Sequence, residues 1–206
     1  MLFVSKVGFA AVCFCFLLTL ASVEARADAV TFSTTGKFAC GGCNGDGTTA
    51  MQIGTRSNLL ILVFSGVENA TVETGASGFT FASFGEIKVT HSGAGSTTFP
   101  EKIQLTITVT QTGPSRGSKE FVGVLTGTIT GNSSTGELTF TPTSFSIGAI
   151  KYDIDATFKL VPDDTNGGKT SIQGKITATP EPATMILFGT SLLGVAGALR
   201  FRRRRL

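Results

Sequence analysis

The sequence predicts an all-β body, an antiparallel two-sheet sandwich of jelly-roll or Greek-key style, set between an N-terminal signal peptide and a C-terminal transmembrane helix. Three observations point to the sandwich. Apolar and polar residues alternate without a fault over 103–110 and again over 150–160, so each segment sends one apolar row inward and one polar row to water. Turn chemistry recurs between such segments, at Gly113-Pro114, Gly131-Asn132, Pro162-Asp163-Asp164 and Asn166-Gly167-Gly168. The chain has 17 Phe, one Tyr and no Trp, which suits a Phe-rich core between two sheets. No stretch of the body carries a 3.6-residue period.

The first 27 residues read as a secretory signal peptide. Lys6 supplies the positive start, residues 7–20 are uncharged and mostly apolar, and Ala25-Arg26-Ala27 is a small-x-small cleavage site overlapping Ala27-Asp28-Ala29. The apolar stretch is too short to span a bilayer, and Glu24, Arg26 and Asp28 follow it closely. Cleavage by signal peptidase is expected after Ala27. It removes Cys13 and Cys15.

Residues 28–178 form the body, long enough for one domain with its own core. The formal charge of the whole chain is +3, but the ends supply that sign. Lys6, Arg26 and the five Arg near the C-terminus are seven of the 17 basic residues, while Glu24 and Glu181 are the two acids removed with them, so the body is near −2. A mildly acidic body gives no basis for binding nucleic acid.

In chain order, strands are expected at 31–38, 59–64, 67–73, 79–84, 86–91, 103–110, 120–130, 137–141, 144–147, 150–160 and 170–177. Residues 59–64 are a continuous apolar run, suited to a strand covered on both faces. Pro142 interrupts the pattern between Phe140 and Phe145, which predicts a bulge or a chain switching sheets there. The repeated outward Thr of 106–110 and 126–130 reads as β-branched filling of a wet face, with glycan contact as the alternative.

Four constellations bear on chemistry. Cys40-Gly41-Gly42-Cys43 reads as a disulfide in an oxidising compartment. A redox C-x-x-C normally opens a helix, and zinc needs two further ligands where the body has one His. Asn44-Gly45-Asp46-Gly47 and the turn at Asp163-Asp164 are oxygen-rich, with calcium as the alternative to plain turns. Asp153 and Asp155, about 7 Å apart on one strand face, have the look of a glycosidase pair, but Lys151 and Lys159 on that face favour a solvated charged stripe. His91 is the only histidine, and no G-x-S-x-G elbow or phosphate loop accompanies it. The body is therefore expected to be non-enzymatic, with no cofactor and no metal.

The tail, residues 179–206, holds three parts in order. Pro180-Glu181-Pro182 comes first, residues 183–199 carry no charge, and Arg200, Arg202, Arg203, Arg204 and Arg205 follow. Seventeen helical residues rise about 25 Å against a hydrocarbon core of about 30 Å, at the short end for a span. The Arg stems snorkel to extend its reach, and the cluster keeps the C-terminus on the cytoplasmic side of the inner membrane. Five Arg directly abutting an apolar helix are a stop signal rather than a nucleic-acid patch.

Motif, short apolar helix and Arg cluster, together with a signal peptide, resemble the PEP-CTERM sorting signal of Gram-negative bacteria. The resemblance implies recognition by an exosortase, a membrane-embedded cysteine transpeptidase-like protease that cuts near the motif and releases or transfers the body. It also implies an envelope or extracellular place and company with exopolysaccharide and biofilm material. The body loosely resembles the β-rich choice-of-anchor ectodomains that precede such tails. The expected function is thus structural or adhesive. A carbohydrate-binding module on the Thr-rich face is the first alternative, which the lack of Trp disfavours, and a secreted hydrolase the second.

Overall fold

The computed structural model describes residues 29–41, 44–75, 77–100 and 103–179, with Gly189, Ser191 and Gly194. In chain order the strands are β1 (Ala29–Ala39), β2 (Ala50–Thr55), β3 (Asn58–Ser65), β4 (Ala70–Glu73), β5 (Phe79–Ser92), β6 (Thr97–Thr98), β7 (Ile103–Gly113), β8 (Gly117–Thr126), β9 (Thr128–Ile129), β10 (Glu137–Phe140), β11 (Ser144–Ile147), β12 (Ile150–Ile154), β13 (Thr157–Lys159) and β14 (Lys169–Ala178). A 3₁₀ turn, Asn166–Gly168, precedes β14.

One six-stranded sheet runs β13-β10-β8-β7-β1-β4 and a second runs β11-β12-β14-β5-β3-β2, with β6 and β9 as a separate ribbon. Every pairing is antiparallel. The two sheets curl over one core, to which both contribute. In β7 the alternation of the sequence becomes geometry: Ile103, Leu105, Ile107 and Val109 are buried, while Gln104 and Thr110 are exposed.

Aromatic rings stitch the sheets together. Phe32 of β1 lies 5.7 Å from Phe84 of β5, Phe84 lies 5.9 Å from Phe121 of β8, and Phe121 lies 4.3 Å from Phe145 of β11. Such pairs add about 0.5–1.5 kcal/mol each beyond the area they bury. Phe64 reaches the core only because Gly36 and Gly85 face it; a Cβ on either would stand 2.3 or 2.6 Å from its ring. Tyr152 completes the row. Its hydroxyl donates to Gln111 Oε1 at 2.7 Å, and Gln111 Nε2 donates to the Ser115 carbonyl at 2.9 Å. Burial pushes the Tyr152 phenol well above its ordinary pKa.

Several expected strands differ in extent for identifiable reasons. The two segments 79–84 and 86–91 are one strand, β5, with Phe84 as the extra residue of a bulge opposite Ile172 and Gln173. Gly85 there has φ 131°, a conformation closed to most side chains. The segment 120–130 breaks at Gly127, φ 97°, into β8 and β9. The segment 150–160 is two strands: β12 belongs to the second sheet and β13 to the first, and the chain crosses at Asp155-Ala156. Pro142 does mark a switch, since β10 and β11 lie in different sheets. Residues 59–64 are not covered on both faces. Leu60, Leu62 and Phe64 are buried, while Leu59, Ile61 and Val63 are half-buried. Their outward row stands between Gln52 and Ala50 of β2 and Thr90 and Lys88 of β5, and the longer stems of Gln52 and Lys88 can lie along it.

Candidate functional site at the terminal pole

Both ends of the body leave from the same end of the sandwich. At the start of β1, Ala29 pairs with Glu73 and Thr31 with Gly113. At the end of β14, Thr177 pairs with Phe79 and Ala178 with Ile150. Three turns surround these exits, at 74–78, 113–117 and 147–150. The last two touch one another, since a Cβ on Gly148 would meet the Ser115 side chain and one on Gly117 would meet Ile147.

The exit of β14 is pinned to its last residue. The Ala178 N–H donates to the Gly78 carbonyl at 2.9 Å. Thr179 is held twice by the Ala149 carbonyl, through its N–H at 2.9 Å and through its hydroxyl at 2.6 Å. The next residue is Pro180, which has no N–H to extend the ladder and bars Thr179 from a helical turn. Regular pairing therefore stops at the threshold of the Pro180-Glu181-Pro182 motif.

The motif itself, Arg200, Arg202, Arg203, Arg204, Arg205, Ala25, Ala27 and Cys43 lie outside the described residues. Within the apolar run, Gly189, Ser191 and Gly194 are helical. Among the described residues no helix is long and apolar enough to cross a membrane.

The other candidates are distributed over the body and do not converge. Cys40 follows β1 and is disulfide-bonded. Its N–H donates to Asp46 Oδ1 at 3.0 Å, so Asp46 closes a turn in which Gly45 and Gly47 take φ 97° and 75°. Asp163 and Asp164 lie in the turn before Asn166–Gly168, where the Asp164 N–H donates to the Gly131 carbonyl at 3.2 Å. Among the described residues no group of three or more His, Cys, Asp or Glu is placed to hold a metal.

Asp153 and Asp155 do not share a strand face as the alternation suggested. Asp153 is in β12, ion-paired to Lys151 at 2.6 Å with both side chains partly exposed, and Asp155 is in the crossing beyond it. A pair so solvated is worth little. His91 is buried, with Nε2 at 3.4 Å from Thr97 Oγ1 and no partner for Nδ1. Outward threonines bond across strands, as Thr31 to Thr71 at 3.1 Å and Thr98 to Thr128 at 3.0 Å. Sequence reasoning missed two features. One is the gathering of both termini with the turns at 74–78, 113–117 and 147–150. The other is an aromatic pair beside the exit, Phe79 and Phe81, which alternation assigns to the core by type but which stands outside it.

Comparison with known proteins agrees with this anatomy. Residues 178–205 match the family model of the PEP-CTERM protein-sorting motif. No curated protein and no solved structure matches the chain. The matched segment begins at Ala178, the residue on which β14 ends, so the chain is an all-β body that hands over directly to the sorting signal of an exosortase substrate.

Proposed function

We propose that the body is a non-catalytic structural or adhesive component of the envelope or extracellular matrix, delivered by exosortase and associated with exopolysaccharide. The sorting signal at 178–205 carries this reading, because it directs the chain to export, transient anchoring and an envelope or extracellular place. The fold supports the delivery step. Pairing in the body runs to Thr179, and Pro180 and Pro182 have no N–H to continue a ladder, which suits the motif to a protease cleft. The Arg cluster holds the far side of the apolar run in the cytoplasm until cutting. We assign the disulfide of Cys40 to Cys43, the other cysteine of the body. Outward threonines paired across strands support the cargo role, since they give the sheets polar surface for contact with a matrix.

The test is a pair of hosts, one with exosortase and one without. The protein should reach the outer envelope or medium in the first and stay in the inner membrane in the second. Extraction of the released protein with the polymer fraction, and its loss from that fraction when polymer synthesis is blocked, tests the association with exopolysaccharide.

Carbohydrate binding by the body has one specific observation in its favour. A cleft of about 420 Å³ between β1 and the β3–β4 link is lined by Ser33, Thr35, Glu68 and Asn69, with Phe64 at its floor. A glycan array that returns a defined oligosaccharide, with binding lost in Glu68→Ala, would establish that reading over a purely structural one.

A further inference from the structure

Phe79 and Phe81 open β5 on the outer face of the second sheet, with relative exposures of 36 % and 71 %. Their rings meet edge to face at 6.0 Å, and Lys175 Nζ lies 4.0 Å from the centroid of Phe79. Beside the pair the same face carries Lys151 and Lys175 against Asp153, while Lys88, Lys169 and Glu86 lie at the far end of the two strands. Two exposed Phe with an ammonium at their rim form an interfacial anchor: the rings enter the headgroup boundary and the lysine meets phosphate.

Position turns that chemistry into an assignment. Phe79 is in register with Thr177 and Phe81 with Lys175, on the strand that leads to the sorting motif. Thr179 is separated from the apolar run at Ala183 by three residues, which reach at most about 14 Å. Along β14 the patch stands only about 7–13 Å back from Thr179 at the strand rise. The patch is thus tied close to the place where the chain enters the bilayer, and a tether this short gives even a weak contact a millimolar effective concentration.

We infer that Phe79 and Phe81, with Lys175, dock the anchored precursor onto the lipid surface of the inner membrane. The inference rests on the sorting reading, in which the tail holds the body at the membrane. Docking lays the second sheet toward the bilayer and fixes the height at which Pro180-Glu181-Pro182 is offered. Release by exosortase ends the tethering, and the contact is then too weak to persist on its own.

The chain lacks Trp, so Phe81→Trp and, separately, Val124→Trp each introduce a single reporter. Val124 is 37 % exposed on β8 of the other sheet and serves as the off-patch position. Each variant is taken, tail intact, from membranes of a bacterium without exosortase, checked by circular dichroism, and reconstituted into phosphatidylethanolamine–phosphatidylglycerol vesicles with chains brominated near the headgroup. The Phe81→Trp emission should shift to the blue and lose most of its intensity, while Val124→Trp should stay red and unquenched. An unquenched Phe81→Trp on protein that floats with the vesicles overturns the docking and leaves the sorting reading standing. Protein that fails to float removes the anchor, and with it both readings. Equal quenching at the two positions means indiscriminate proximity and overturns the assignment to this patch. A blue shift without quenching that grows with protein concentration assigns the patch to a second copy and overturns the docking.

Discussion

Tyr152 is wholly buried, and its hydroxyl is the donor that satisfies Gln111. Replacing it with Phe keeps the ring and orphans the Gln111 oxygen, so stability should fall by about 1–3 kcal/mol. The phenol also makes stability depend on alkaline pH. Its folded pKa is raised by burial above the unfolded value of about 10, so its contribution is complete below pH about 10 and is lost as pH rises above it, where the unfolded chain sheds the proton first. Urea unfolding between pH 9 and 11 should show a decline that Tyr152→Phe lacks; equal declines would remove Tyr152 as its source. At the other end of β1, changing Cys40 and Cys43 together to Ser should cost about 1–2 kcal/mol, below the usual range because the closed loop is short. Thiols that alkylate in the native secreted protein would contradict the bridge.

At the scale of elements, β5 contains both kinds of phenylalanine. Phe84 is buried between the sheets against Phe32 and Phe121, and Phe81 is exposed two residues after the strand begins. Phe84→Ala should cost about 3–5 kcal/mol, whereas Phe81→Ala should change stability by no more than about 0.5 kcal/mol, read from denaturant midpoints at constant slope. This contrast also shows what the sequence makes legible. Period-two alternation located most strands, the Phe-rich core and the sheet switch at Pro142, because those features are written in neighbouring residues. It did not separate β12 from β13, since the alternation runs on through Asp155 and Ala156 while the chain passes from one sheet to the other. It also did not say which of Phe81 and Phe84 faces the core. Three residues apart, they stand on opposite faces of β5, and the local pattern Phe79-Thr80-Phe81 turns the wrong pair inward; the choice is made by the strands that flank β5, pairings that join residues far apart in sequence. The sorting motif was fully legible because its meaning is linear, whereas the meeting of Ala29, Glu73, Phe79 and Thr179 at one pole appears only once the sheets close.

For the whole molecule, the body is cargo and the tail its handling device. Glu181→Ala should leave insertion intact, because the apolar run and the Arg residues are unchanged, while slowing processing; a pulse-chase in a host with exosortase reads the rate. Neutralising Arg200, Arg202, Arg203, Arg204 and Arg205 should instead loosen orientation and retention, seen as loss of the membrane-held precursor. A permanent anchor reverses the first expectation, since Glu181 would then be silent. The most direct measurement is the intact mass of the protein recovered from the medium and envelope of its native host. The expected species begins after Ala27 and has lost the Arg cluster. Mature envelope protein still carrying residues 183–206 in a host with active exosortase would contradict that expectation.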